Sequence, residues 1–293
     1  MRRYLRHFTT WCGCFAALTL LAGCPGQADL NPVTPTPPAD ADTSNGNVGI
    51  AGQGESPTDV ESLTPAEIDA LRSVLQATAQ LTQAVILAQA LATGGEASPC
   101  PAITATNSTV NASFGAGCTV TTAPEFVCSG NLLATRTNDF AGPPQRSQLS
   151  LTFQNAACQP SSPLTGEANI LFNGGSLIDL NGFWNLSYTQ AGTTVNLAGN
   201  GDLQYDVTRR FVNLLSFNGQ LNAGGTVRSL VLLGLVLSRT AQTPTIPQTG
   251  TATVAGQDIR TLTLIFDANS PTTSQILISV DNGAPFAVDI NNL

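Results

Sequence analysis

Apolar residues recur along the chain at two spacings, and each spacing predicts a different element. Between positions 64 and 92 they recur every three or four residues, which predicts one long helix. From Cys100 to Leu293 they alternate with polar residues, as in half-buried β-strands, and short turns divide this stretch. The sequence therefore predicts a mainly β fold, an antiparallel up-and-down meander of about eleven strands in a curved, half-barrel-like sheet, with the long N-terminal helix packed on it.

The predicted helix has a well-defined start and stop. Thr64 is placed to cap the first turn, Pro65 suits the first helical position, and Glu67 completes a capping box. Gly94-Gly95 ends the pattern. The apolar stripe comprises Ile68, Leu71, Leu75, Thr78, Leu81, Val85, Ala88 and Leu91 or Ala92, and the polar side comprises Gln76, Gln80, Thr82, Gln83 and Gln89. We expect about 28 residues of helix laid on the sheet.

One predicted strand departs from the two-residue alternation. Residues 230–237 are apolar on both faces, so we expect both faces to be covered, with the helix as the obvious cover. Asp281-Asn282-Gly283 is the strongest short hairpin pattern in the chain.

The first 24 residues predict export and lipidation. Three arginines precede an apolar run at positions 15–21, which is shorter than the roughly 18 residues that span a bilayer. Leu21-Ala22-Gly23-Cys24 closes this run and resembles the lipobox of bacterial lipoproteins. The resemblance implies that residues 1–23 are a signal peptide and that Cys24 carries the acyl chains of a membrane anchor. The alternative is an ordinary signal peptide with a chance cysteine at this position.

The residues after Cys24 predict a location and a spacer. Pro25 stands where an aspartate is the usual inner-membrane retention signal of bacterial lipoproteins, so we expect a cell-envelope protein anchored in the outer membrane. Residues 24–62 are rich in Pro and Thr and lack apolar periodicity, which predicts a disordered tether. Residues 63–293 are the predicted folded domain, the helix plus the meander.

The charge and residue composition of the chain limit the partners and the catalytic mechanisms that are available to it. Loss of Arg2, Arg3 and Arg6 leaves eight of 11 basic residues against 19 acidic ones, a net charge of −11 for the predicted mature chain. This charge repels phosphate backbones, which excludes nucleic acid as a main partner. No lysine occurs, and the single histidine, His7, lies in the predicted signal peptide. Because Ser-His, Cys-His and Ser-Lys catalysis all need these residues, we expect a protein that is not an enzyme and holds no cofactor.

Cysteine usage agrees with export. Two cysteines lie in the predicted signal peptide and Cys24 is predicted to be lipidated, which leaves Cys100, Cys118, Cys128 and Cys158. An even number in an oxidising compartment predicts two disulfides with three alternative pairings. Since Cys118 and Cys128 flank a short predicted hairpin, we favour Cys118–Cys128 together with Cys100–Cys158. The wide spacing of these cysteines and the lack of histidine argue against a metal site.

A second resemblance lies in the same region. Phe114-Gly115-Ala116-Gly117-Cys118 ends one predicted strand, and Cys128-Ser129-Gly130 begins the next. This arrangement is similar to a pattern in uncharacterised families of exported β-meander lipoproteins. The resemblance covers a short stretch and implies the meander, but no chemistry, because those families have no assigned activity.

Carboxylates remain as candidates for catalysis. The four candidates are Asp202 and Asp206, which face the same way on one predicted strand, and Glu167 and Asp179. Two flanking acids suit glycoside hydrolysis, but solvated acids on a polar sheet face explain them more simply. Residues 267–270 and 281–283 are oxygen-rich turns without the ligand spacing of a calcium loop, so turn formation explains them better.

The sequence thus favours a membrane-anchored envelope lipoprotein with a non-enzymatic structural or binding β domain. The alternative is a carrier or binder of a lipid or other apolar ligand between the helix and the sheet. A carboxylate-dependent glycoside hydrolase is the third hypothesis. No residue pattern identifies a protein partner.

Overall fold

The computed structural model describes residues 63–92, 100–106, 108–120, 126–139, 146–159, 161–238 and 246–293. Helix α1 spans Pro65–Ala92. The strands that follow are β1 Ala102–Ala105, β2 Thr109–Val120, β3 Phe126–Asp139, β4 Arg146–Cys158, β5 Leu164–Asn173, β6 Leu177–Gln190, β7 Thr193–Asp206, β8 Phe211–Ala223, β9 Thr226–Ser238, β10 Thr249–Ala255, β11 Leu262–Phe266, β12 Gln275–Val280 and β13 Phe286–Asp289. Helix α2, Ser270–Thr273, lies between β11 and β12, and a 3₁₀ turn at Ile290–Asn292 follows β13.

Every strand pairs with its neighbours in sequence, so the sheet runs from β1 to β13 without a crossover. The neighbouring strands are antiparallel, and the longest ladder joins β6 to β7 from Leu177↔Asp206 to Gln190↔Thr193. The sheet is open, with β1 and β13 at its edges. The predicted up-and-down meander is confirmed, with 13 strands in place of about eleven.

The core lies between α1 and the inner face of the curved sheet. Side chains alternate along each strand, so every second residue of β6 and β7 reaches this face. Its largest fully buried side chains on the sheet include Trp184 and Phe217, which lie under the helix together with Leu197. Helix residues 80–89 are buried without exception, polar ones included. The helix on the sheet is therefore confirmed, and it fills the inside of the curve.

The two-sided cover predicted for residues 230–237 is wrong. On the inner face Leu230, Leu232, Leu235 and Leu237 are buried, whereas Leu233 is 52% exposed on the outer face. Gly234 has a φ of 62° and lies at a register shift between β9 and β10, so two successive residues point away from the core there. The outer apolar residues of β9 face solvent.

The hairpin predicted at residues 281–283 is confirmed. Asp281 and Asn282 have φ values of 50° and 60°, and the Gly283 amide donates to the Val280 carbonyl at 2.8 Å. Two central residues with positive φ match the right-handed twist of the flanking strands, which is why this tripeptide specifies a tight connection between β12 and β13. Among the described residues, no helix combines the length and the apolar character that crossing a membrane requires.

Candidate functional site

The first turn of α1 is held by the predicted capping box and by an ion pair. The Thr64 amide donates to Glu67 Oε2 at 2.8 Å, and the Glu67 amide donates to Thr64 Oγ1 at 3.3 Å. Arg260, between β10 and β11, donates from Nε to Oε1 at 2.6 Å and from a terminal nitrogen to Oε2 at 2.8 Å. The sequence carries no local sign of this partner, because 193 positions separate the two residues.

Glu67 is the most strongly perturbed carboxyl group of the described chain. Its side chain is 1% exposed, and burial by itself would favour the neutral form. The Arg260 guanidinium and the Thr64 amide outweigh burial and lower the pKa of Glu67 from 4.5 to about 2. The pair is therefore charged at neutral pH and fastens the helix start to the sheet.

The polar side of α1 is buried against the connection between β4 and β5. Gln83 donates from Nε2 to the carbonyls of Ala156 at 3.1 Å and Ser162 at 3.3 Å, and its Oε1 accepts from the Cys158 amide at 3.2 Å. Gln80 donates to the same Ser162 carbonyl at 3.4 Å. These amides satisfy backbone groups that a buried irregular segment would otherwise leave unpaired.

All four predicted cysteines form disulfides, but the predicted pairing is wrong. The bonds are Cys100–Cys118 and Cys128–Cys158, with Cα–Cα distances of 5.8 and 4.0 Å. Cys118, Cys128 and Cys158 lie in one row across β2, β3 and β4, so Cys128 has a cysteine on either side. Cys100 lies just before β1, beside β2, where its neighbour is Cys118. That bond leaves Cys158 for Cys128.

The glycines of the Phe-Gly-Ala-Gly-Cys stretch shape this row. Register shifts occur between Ser113 and Gly115 and again between Gly115 and Cys118, and Gly115 has a φ of 59°. The resulting bulges bring Cys118 opposite Cys128. The motif thus sets strand register, in agreement with the meander that its resemblance implies.

The four candidate carboxylates all lie on the outer face of the sheet. Asp179 accepts from Gln204 at 2.8 Å and from Asn173 at 3.2 Å, and Asp206 accepts from the amides of the turn that follows β7. Glu167 is exposed and lies opposite Asn185, whereas Asp202 lies opposite Asn181. Two of the four therefore have structural hydrogen bonds of their own.

The aspartates of the oxygen-rich turns also have hydrogen-bond partners within the fold. Asp267 Oδ1 accepts from the amides of Asn269 at 2.8 Å and Ser270 at 3.0 Å, where α2 begins. Asp281 Oδ1 accepts from the Thr261 amide at 2.9 Å. Turn formation accounts for both, and the described residues contain no group of three or more His, Cys, Asp or Glu side chains placed to hold a metal ion.

The outer face of β5–β8 is dominated by carboxamide side chains, and we call this surface the amide face. Nine asparagines and two glutamines occupy its outward positions: Asn169, Asn173, Asn181, Asn185, Asn196, Asn200, Asn213, Asn218, Asn222, Gln204 and Gln220. Sequence analysis missed this surface, although the two-residue spacing of asparagines within these strands marks it.

A half-open cleft of about 310 Å³ lies beside α1. Its lining is mainly apolar, with a few polar groups: Arg72, Leu75, Gln76, Thr78, Ala79, Gln190, Ile246, Pro247, Ile290 and Leu293. Arg72 donates to Asp69 at 2.9 Å, so this cation already has a partner. The cleft lies at the side of the helix, on the face that carries Arg72, Leu75, Gln76 and Ala79.

Three buried polar atoms on the inner face of β6 have no hydrogen-bond partner within the described part of the chain. They are Trp184 Nε1, Tyr188 Oη and Gln190 Oε1. Burial raises the pKa of the Tyr188 hydroxyl well above its ordinary value. Each unpaired atom costs about 1–3 kcal/mol, so this row is tolerated at the expense of stability. Gln190 is also one of the residues that line the cleft.

Cys24 lies outside the described residues, as do the predicted signal peptide, the residues from 24 to 62 and Gly94-Gly95. The assignments made for those segments stay predictions. Comparisons with protein families, curated proteins and solved structures give no match for this chain.

Proposed function

We propose that this protein is a lipid-anchored component of the cell envelope whose β domain has a non-enzymatic, structural or binding role. The observation that carries the proposal is Leu21-Ala22-Gly23-Cys24 at the end of a short apolar run. The two disulfides of the described domain are compatible with an oxidising compartment outside the cytoplasm. Pro25 after Cys24 favours the outer membrane.

The non-enzymatic part of the proposal rests on the residue inventory. The chain after position 23 contains neither histidine nor lysine. Of the carboxylates considered for hydrolysis, Asp179 and Asp206 are engaged with amides of the sheet and of a turn. The buried ion pair of Glu67 with Arg260 lies at a helix start, where it fastens two parts of the fold.

The anchor is tested with the full-length chain expressed in a bacterium that has two membranes and fed an alkyne-tagged palmitate. The wild-type protein is expected to carry the label and to sediment with membranes, because two or more acyl chains make attachment durable. Cys24→Ala should lose the label and leave the membrane fraction. Cys12→Ala, a change within the predicted signal peptide, is the matched control and should keep both properties. A labelled, membrane-bound Cys24→Ala protein would contradict the proposal.

A second candidate function is the binding of a small apolar molecule in the cleft beside α1. It is favoured by the mainly apolar lining, which suits a ligand with an apolar body, and by the polar side chains of Gln76 and Gln190 in that lining, which suit a single polar end. A protonated fatty acid or a fatty alcohol has this character.

The cleft is tested with hexadecanol added to the full chain in mild detergent and detected by native mass spectrometry. The wild type should retain the alcohol, and Ala79→Trp, which fills the cleft, should not. Ala116→Trp, at an exposed bulge of β2, should bind as the wild type does. Equal retention by all three proteins would exclude the cleft as the site.

A further inference from the structure

The amide face is not explained by the requirements of the fold. Asparagine is among the residues that strands disfavour, because its side chain competes for backbone hydrogen bonds and packs poorly on a pleated surface. Yet it recurs at outward positions in the middle of four neighbouring strands, β5–β8. Threonine or valine would suit these positions better, so the choice of asparagine lowers stability and calls for another cause.

The exposed members of this surface have unused hydrogen-bonding capacity. Six exposed asparagines make no side-chain hydrogen bond to any other residue of the described chain: Asn169, Asn181, Asn185, Asn196, Asn200 and Asn218. Each presents a carbonyl acceptor and two N–H donors to solvent. Neighbours lie about 4.8 Å apart across strands and about 7 Å apart along a strand, which gives a regular two-dimensional array.

An exposed aromatic ring lies at the centre of the array. Phe183 is 43% exposed and points outward from β6. It lies directly opposite Asn169 on β5 and Asn200 on β7, and Asn181 and Asn185 flank it on its own strand. A large apolar ring surrounded by amides offers a flat contact surface with hydrogen-bonding groups on all four sides.

The charge of the amide face limits the classes of ligand that it can bind. Strands β5–β8 contain no Arg or Lys, whereas Glu167, Asp179 and Asp202 lie among the amides. A polyanion would be repelled. The exposed apolar residues of these strands do not form the apolar centre that a protein partner needs, because Leu177 lies six positions before Phe183 on β6 and Leu215 lies two strands away on β8. A neutral sugar chain meets each requirement, because its hydroxyl groups both donate and accept, and the C–H faces of its rings are apolar.

We infer that the amide face is a carbohydrate-binding surface for an extended neutral polysaccharide, with Phe183 stacking on a sugar ring and the surrounding asparagines bonding its hydroxyls. The open, slightly curved surface suits a chain that crosses several strands. This role goes beyond the proposed anchor and cleft and depends on neither.

The test is affinity gel electrophoresis of the detergent-solubilised full chain through gels that contain dextran, laminarin, xyloglucan or galactomannan, with polygalacturonate as the anionic comparison. The wild type should be retarded by at least one neutral polymer, and salt should not abolish the effect. Phe183→Ala should weaken that binding roughly tenfold, a change equivalent to about 1.4 kcal/mol. Asn200→Thr, which keeps strand propensity, should weaken it by a smaller factor.

Leu277→Ala is the matched control, since Leu277 is an exposed outward residue of β12, outside the amide face. It should bind as the wild type does. The inference is overturned if no neutral polymer retards the wild type, if Phe183→Ala binds unchanged, or if only polygalacturonate binds. Cooperative unfolding curves of Phe183→Ala and Asn200→Thr, with midpoints close to or above that of the wild type, show that a loss of binding is not a loss of fold.

Discussion

The inner core of the domain and the amide face use the same kinds of side chain in opposite ways. Trp184 and Phe183 are consecutive on β6, yet the first is buried under α1 and the second faces solvent. Gln83 bonds three backbone groups in the core, whereas Gln220 is exposed on β8 and bonds none of the described residues. The inner side chains hold the structure together, and the outer ones are available for contacts outside the chain.

The largest effect is expected from the aromatic pair. Trp184→Ala should lower the free energy of unfolding by about 3–5 kcal/mol, because it opens a cavity in the packed core. The wild type already bears the cost of the unpaired Trp184 Nε1, and the substitution removes that cost. The expected loss is therefore toward the lower end of that range. Phe183→Ala should change stability by no more than about 0.5 kcal/mol. Urea unfolding of the oxidised protein measures both, and similar losses would mean that the two faces do not differ in packing.

The carboxylates of Glu67 and Glu167 should differ nearly as much in their contribution to stability. The pKa of Glu67 falls from 4.5 unfolded to about 2 folded, which corresponds to about 3 kcal/mol of stabilisation above pH 4.5. Because the folded pKa is lowered, this contribution is fully present above pH 4.5 and is lost as the pH falls toward 2. Glu67→Gln should therefore lower stability at pH 7 and flatten the acid side of the stability profile.

Glu167→Gln is the outer-face control for that change. Glu167 is exposed and has no side-chain hydrogen bond or ion pair with the described residues, so its substitution should leave both stability and the acid profile close to the wild type. Unfolding midpoints from pH 2 to pH 7 distinguish the two variants. An acid profile of Glu67→Gln as steep as that of the wild type would show that other groups control acid unfolding.

The side-chain amides of Gln83 and Gln220 should show an intermediate difference in their contribution to stability. Gln83→Ala removes the partners of the Cys158 amide and of two carbonyls, so it should cost about 1–3 kcal/mol. Gln220→Ala should be neutral within about 0.5 kcal/mol. Hydrogen exchange at the Cys158 amide provides a local readout, since it should accelerate in the first variant and not in the second.

The smallest expected effect has the opposite sign. Asn200→Thr replaces a strand-disfavouring residue at an exposed position, so it should raise stability by a few tenths of a kcal/mol, within a propensity range of about 1 kcal/mol. Thermal unfolding measures the gain. A clear loss would show that Asn200 has a structural role, which would weaken the contrast between the faces.

Local patterns predicted much of this fold. The Thr64 to Glu67 capping box, the hairpin at residues 281–283 and the alternation of β6 and β7 depend on residues close in sequence, and all three are present in the structure. A meander makes prediction from local patterns easier, because each strand pairs with its neighbours in sequence.

The features that the sequence did not predict depend on distant contacts or on competing neighbours. Cys128 has a cysteine on each side in the sheet, and spacing along the chain does not choose between them. Residues 230–237 are almost all apolar, but Leu233 faces outward, and the bulge at Gly234 returns Leu235 and Leu237 to the inner face. Arg260 reaches the helix start only once ten successive strand pairs, from β1–β2 to β10–β11, have placed the β10–β11 connection beside it. The cleft likewise combines α1 with residues from the far end of the chain.

The bond between Glu67 and Arg260 has a consequence for the order of assembly. Strands β1–β9 need only sequence neighbours to pair, so the sheet can grow by adding one hairpin at a time. Helix α1 comes first in the chain, but its last anchoring partner follows β10. Helix α1 is made first but lacks this contact until residue 260 of the 293 has been made, and until then its apolar side has to be kept from contacts with other chains.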